Sequence, residues 1–457
     1  MSGMFARSAL IATLLAGPIP LRPQVSPVQQ PPAAAEELSL EQAVNLALKN
    51  NRSVANARLE VTKLDNQIGV ARTYRFPSLQ LNVLEAQLLH KLNFEFPAGV
   101  WGVYPATGPI PGAPSSVTTP AHPFTLVTGS LTQPISQQHR IGLGIHLREL
   151  ERDAAREQYR AARLAVTNGV KKLYYANLQT QSALRANQSA LQTLRELDRV
   201  VSESVTQQVV LKSDALEVKA RIAKAEYEDA ALQHGLATQR EQLNDLMGRD
   251  TRIEFTVRSL PEPSLAPADL AQARTRAAAE HPEILTARLR VREAEQDRNF
   301  KKAEYIPDVN FTFQYLSPFH LNPLPRNVAA AGLSLQWDVF DWGRKKKELA
   351  IKDQTVEQAK NALMSAESQV LLEVESRYRQ VEEARRLLRV VQMAQETAQE
   401  KVRIATNRHA ERSALLKDLL EAQASLAEVD YQYQQALSAF FSAQSEFDKA
   451  SGQAASQ

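Results

Sequence analysis

The 457-residue sequence contains no cysteine. Disulfides, thiol nucleophiles, thiolate metal sites and lipid-modified cysteines are therefore excluded. Glycine is scarce, at 16 residues, and aromatic residues make up only 6%. Alanine, Gln, Glu, Leu and Arg fill long tracts instead, a composition that suits long helices better than a compact mixed core. No run approaches the roughly 18 consecutive apolar residues of a membrane-spanning helix. Charge of either sign is also lacking in excess: 54 basic and 51 acidic residues leave a net +3. The two signs are interleaved, so there is no basic patch and no support for nucleic-acid binding. No Gly-rich phosphate loop or nucleophile elbow is present. Of the eight histidines, His139 and His146 share a helical spacing but have no third ligand. Nothing points to an enzyme, a cofactor or a metal site.

What the chain does contain is itself, twice. Residues 131–248 superpose on 335–452 with a shift of 204, which carries Arg140 to Arg344, Val170 to Val374, Tyr174 to Tyr378 and Gly248 to Gly452. A shift of 230 carries Leu40 to Leu270, Ala57-Arg58-Leu59 to Ala287-Arg288-Leu289, and Pro77 to Pro307. The first copy thus has 26 extra residues between Pro77 and Leu131. Each copy is one structural unit.

Within a unit the period changes. Ser39 followed by Gln42 predicts a capped short helix, broken at Asn50-Asn51. A second helix is predicted from about Ser53 to Arg75, ending at Phe76-Pro77. Period two then takes over at Leu79, Leu81 and Val83, and returns at Val127, Gly129 and Leu131. The second copy repeats this at Val309 to Tyr315 and at Leu333 to Val339. Each stretch predicts a half-buried strand. The loop between the paired strands is rich in Pro and Gly in copy one (Phe96 to Pro123) and shorter in copy two, so the extra residues fall at a loop tip. Proline-free helical tracts follow, from about Arg140 to Val205 and Arg344 to Ala405. Steps of three and four between small and apolar residues such as Val370, Val381, Leu388 and Val402 predict coiled-coil seams. Each tract turns back, near 206–212 and 406–413, into a helix ending at Gly248 or Gly452.

The organisation expected is a secretory signal and Pro/Ala-rich tail over 1–37, a first repeat over 38–258, a linker over 259–267, a second repeat over 268–452 and a short C-terminal tail over 453–457. The signal reading rests on Arg7 and the apolar run Ala9 to Ala16; a plain N-terminal tail is the alternative. Four strands cannot close a barrel alone, and lipid tolerates no open sheet edge. Strands apolar on one face and polar on the other suit a membrane barrel around water, completed by several chains. Gln80, Asn82, Thr312, Gln314, Ser334 and Gln336 would line the lumen. The alternatives are a soluble sheet packed on helices, or a periplasmic coiled-coil tether or spacer, which needs no strands.

The segments Leu38-Ser39-Leu40-Glu41-Gln42-Ala43-Val44, His281-Pro282-Glu283-Ile284 and Gln336-Trp337-Asp338-Val339-Phe340-Asp341-Trp342-Gly343-Arg344 carry a resemblance to the TolC family of outer-membrane efflux proteins. It extends from about Leu38 to Gly452. The resemblance implies a mainly α fold with a small membrane β-barrel portion. Long coiled-coil helices and four strands per chain would form, in a homotrimer, a 12-stranded barrel continued by an α-helical barrel. It implies a passive outer-membrane duct with a large periplasmic portion, contacting outer-membrane lipid, docked on a periplasmic adaptor and driven by an inner-membrane pump. It places Asp418 and Glu421 at the acidic periplasmic gate, and Trp337, Trp342, Gly343 and Arg344 at the strand-to-helix junction. The repeat makes Asp214 and Glu217 weaker gate candidates, for which a helix-dipole role is favoured. Both tips depart from the family by lacking its common glycine, and His409 and Arg412 are weaker candidates for contributing to the gate's lock.

Overall fold

The computed structural model describes residues 36–207, 211–259, 266–321, 324–411, 413–414 and 416–453. The expected secretory signal and most of the tail lie outside the described residues, as does Arg412. Copy one begins with β1 (Glu36–Leu38), α1 (Leu40–Asn50) and α2 (Arg52–Thr73). Strand β2 (Ser78–Gln87) leads into four short strands, β3 (Leu92–Phe96), β4 (Val103–Tyr104), β5 (Gly108–Pro109) and β6 (Ser115–Thr119). Then come β7 (Pro123–Pro134), α3 (Gln138–Thr206), α4 (Lys212–Leu246) and β8 (Phe255–Val257). Copy two comprises α5 (Leu270–Glu280), α6 (Pro282–Ala303), β9 (Asp308–Phe319), β10 (Val328–Gln336), α7 (Arg344–Ala410) and α8 (Leu416–Ala450).

The local chemistry explains these bounds. Ser39 and Gln42 form a reciprocal capping box at the head of α1. The Asn51 side chain accepts the Ser53 and Val54 N–H groups, ending α1 and starting α2. His281 takes the same place between α5 and α6, its Nδ1 accepting from the Glu283 N–H, and burial lowers its pKa. With 69 and 67 residues free of proline, α3 and α7 each extend about 100 Å. Helix α7 runs on to Ala410, past the turn predicted to open at Thr406, because nothing from Thr406 to Ala410 breaks a helix.

Four strands form one antiparallel sheet in the order β10-β9-β7-β2. The pairs β2–β7 and β9–β10 lie within the copies, and β7–β9 joins them. Strand β10 ends at Gln336, three residues short of the predicted Val339. Its last partner is Asp308, the first residue of β9, so the alternation continues with nothing to pair against. Two further features lie outside the sequence reading. The parallel pair β1–β8 joins the start of copy one to its end. The copy-one loop is built as two small antiparallel pairs, β3–β6 and β4–β5.

Each copy has its own apolar core. Leu38, Val170, Tyr174, Leu243, Met247 and Phe255 anchor the first. Ile284, Val370, Val374, Leu388 and Phe440 anchor the second, and Phe441 packs against both. The Tyr174 hydroxyl lies 3.0 Å from the Leu38 carbonyl and 2.7 Å from that of Arg258, tying α3 to the C-terminal end of both strands of the parallel β1–β8 pair. Burial pushes its pKa up to about 12.

Candidate functional site: a two-faced sheet between aromatic junctions and acidic tips

Side chains alternate across a strand, so register decides what shares a face. One rung aligns Leu79, Leu131, Phe313 and Ala331, and the next in that direction aligns Leu81, Gly129, Tyr315 and Ala329. Phe311 pairs with Leu333, and Val309 with Leu335, on the same face. The opposite face aligns Ser78, Thr132, Thr312 and Gly332, then Gln80, Ser130, Gln314 and Ala330. Over these rungs the sheet is thus apolar on one side and polar on the other, while farther along β2 Glu85 and Gln87 fall on the first face and Leu84 on the second.

The apolar side has no cover among the described residues: Leu79 is 77% exposed, Leu333 71% and Leu335 66%. Water does not tolerate so extended an apolar surface on a stable monomer. Strands β2 and β10 are the open edges and are exposed along nearly their whole length. No described helix is long and apolar enough to cross a membrane.

Exposed aromatic side chains mark where strands meet helices. Tyr74 and Phe76 precede β2, Tyr305 precedes β9, and Trp337 follows β10. Such rings favour a boundary between apolar and wet surroundings. At the β10–α7 junction, Trp342 (φ 58°) and Gly343 (φ 81°) occupy the left-handed region and redirect the chain. Phe340 and Trp342 meet edge to face at 4.9 Å. Asp341 accepts the Gly343 N–H at 3.0 Å and the Lys345 N–H at 2.9 Å, satisfying donors at the head of α7. The Lys345 N–H, ahead of that of Gly343, holds its carboxyl below the usual carboxylate range. Arg344 reaches Asp338 at 3.4 Å and Glu348 at 3.6 Å. The equivalent junction of copy one is closed by Ser136, whose hydroxyl donates to the Pro307 carbonyl and accepts from the Val309 N–H, and by Arg140 bound to Asp308 at 3.0 Å.

The gate candidates lie at the far end of the helices. Asp418 sits in the first turn of α8 and Glu421 one turn later, both exposed. Asp214 and Glu217 hold the matching places on α4. Glu217 is ion-paired to Arg221 at 2.5 Å within its own helix, and Asp214 receives the Ser213 hydroxyl at 3.3 Å. His409 belongs to the last turn of α7. The single chain therefore carries these acids at the starts of α4 and α8.

A polar cluster at mid-length joins the two copies. Glu446 on α8 accepts from Asn168 at 3.0 Å and Lys172 at 2.9 Å on α3, and Arg377 on α7 approaches it at 3.7 Å. Ser445 donates to Asn168 at 2.7 Å. Burial raises the Glu446 pKa, but these donors and cations outweigh it and hold the carboxyl low. Sequence periodicity carries no signal for this contact, which spans 278 positions.

The comparisons agree with this geometry. A family model described as outer membrane efflux protein matches residues 43–249 and 273–453. No curated protein sequence matches the chain. Among solved structures, the outer membrane protein VceC from Vibrio cholerae is 18% identical, with 90% of this chain and 96% of that one covered at a TM-score of 0.69. A membrane protein from Pseudomonas aeruginosa is 17% identical over 96% of this chain and 98% of its own, with a TM-score of 0.72. The open state of the MtrE outer membrane channel of Neisseria gonorrhoeae is 18% identical over 90% of this chain and 88% of its own, with a TM-score of 0.67. Uncovered apolar strands, polar opposite face, long helical hairpins and a family match over most of the chain converge: this chain belongs to the outer membrane efflux protein family and is an outer-membrane channel with a large periplasmic helical part.

Proposed function

We propose that three copies assemble so that β10 of each pairs with β2 of the next, giving a passive 12-stranded duct continued by helices α3, α4, α7 and α8. The observation that carries this reading is the four-stranded sheet itself, with two open edges and an uncovered apolar face. Closure removes both edges, which lipid requires, and turns Gln80, Ser130, Thr312 and Gln314 toward water. Small molecules or polypeptides pass outward through the duct. An inner-membrane pump, reached through a periplasmic adaptor at the helix tips, supplies the energy. The sheet speaks against a mere tether, which has no use for it.

Purified protein is expected to conduct ions in a planar bilayer. Silence from folded trimers would overturn the duct. The same apparatus tests the tip. With three copies, Asp418 and Glu421 form rings of carboxylates that attract cations. Asp418→Ala combined with Glu421→Ala is expected to raise the blocking concentration of a divalent cation by about tenfold. An unchanged block removes both residues from the gate.

A further inference from the structure

The β10–α7 junction presents, in sequence order, the components of a membrane boundary. Leu333 and Leu335 stand on the uncovered apolar face, and Trp337 continues their alternation at 54% exposed. Trp342, 90% exposed, follows at the left-handed turn. The basic run Arg344-Lys345-Lys346-Lys347 then opens α7. Two of these cations are already engaged: Arg344 with Asp338 and Glu348, and the buried Lys345 with Asp338 at 3.8 Å. Lys346 and Lys347 are exposed and make no ion pair among the described residues. Copy one has Ile141, Gly142 and Leu143 at the positions of the three lysines, so the cluster is not a requirement of the fold.

The rival use of the two lysines is an ion pair with a neighbouring copy. In the assembly proposed above, β2 of the next chain lies beside β10 and brings the end of α2 with it. From Asn66 to Pro77 that segment contains no carboxylate, while it carries Arg72 and Arg75. That segment therefore offers the lysines no acidic partner of its own, and Glu149 of α3, which reaches it, is paired with Arg72 at 3.2 Å and lies 3.5 Å from His146. The junction faces the periplasmic leaflet, because α7 runs into the periplasm, and that leaflet is made of phospholipid.

We propose that Lys346 and Lys347, set beside Trp342, bind the headgroups of acidic phospholipids in the inner leaflet. The indole packs at the glycerol level while the ammonium groups reach the phosphates. This inference rests on the membrane placement of the sheet, and the experiment separates the two.

The chain has three tryptophans, and Trp101 is the only one away from this junction. Trp101→Phe therefore leaves Trp337 and Trp342 as the sole indole reporters. The full chain is placed in phosphatidylcholine vesicles containing a small, equal fraction of brominated phosphatidylglycerol or brominated phosphatidylcholine. Brominated phosphatidylglycerol is expected to quench more strongly, corresponding to roughly tenfold enrichment at the junction. Lys346→Gln with Lys347→Gln should abolish the difference and preserve quenching by brominated phosphatidylcholine, whereas Lys346→Arg with Lys347→Arg should retain the difference. Equal quenching by the two lipids in the parent, or a difference that survives the Gln pair, overturns the headgroup site and leaves the sheet in the membrane. Absence of quenching by either lipid overturns the membrane placement and the site together.

Discussion

Gly248→Ala is expected to destabilise the protein by about 3 kcal/mol, through strain at one backbone position and a collision at another residue. Gly248 ends α4 with φ 66°, where an L side chain is disfavoured by about 1–2 kcal/mol. A Cβ there would lie 2.5 Å from the Asn50 carbonyl oxygen and 2.9 Å from its carbon. Neither is a flexible group, because Asn50 closes α1 and the neighbouring Asn51 side chain binds the Leu246 carbonyl at 2.9 Å. The repeat supplies an internal control. Gly452 has φ 71°, but its added Cβ would meet His281 Cα only at 3.3 Å. Gly452→Ala should therefore cost little beyond the conformational strain, about 1–2 kcal/mol. Thermal unfolding of the two variants gives the test: a midpoint for Gly248→Ala at or above that of Gly452→Ala would refute the close approach to Asn50.

The second large effect belongs to the sheet. Leu81 lies mid-strand on the apolar face and is 69% exposed, with Asn82 beside it on the polar face. Leu81→Arg is expected to cost about 2–4 kcal/mol per chain on insertion, the range for a charge at the lipid midplane of a barrel. Asn82→Arg should insert nearly as well as the parent and shift the conductance toward anions. Membrane flotation of refolded protein measures the first and reversal potentials the second. Equal insertion of the two variants would mean that the faces have been assigned to the wrong surroundings.

Much of this architecture is legible in the sequence because its signals are long. Proline-free tracts with steps of three and four fix α3 and α7, and alternation over several residues fixes β2, β7, β9 and β10. Short features escape for the same reason. Strand β1 has three residues, too few for a period, and its partner β8 is more than two hundred positions away. The β3–β6 pair hides in a segment whose Pro and Gly content reads only as loop. Trp337 to Val339 continue a strand pattern after pairing has stopped, since alternation reports facing and says nothing of whether a partner strand exists. At the junction, Asp341 enters the sequence reading only as part of the resembling segment and not as a cap, though an acid shortly ahead of a helix is a recognisable capping signal. The Glu446 cluster was beyond reach, because it depends on how three helices from different copies come together.

Strand pairing between β7 and β9 is what fuses two similar halves into one sheet, and among the described residues only the first half carries the elaborated β3–β6 and β4–β5 segment. Had six unfused half-length chains made the same ring, every strand pair would have to bear that segment or none could. Fusion lets alternate positions differ, so the proposed trimer would carry three such caps around its outer rim and three bare intervals between them.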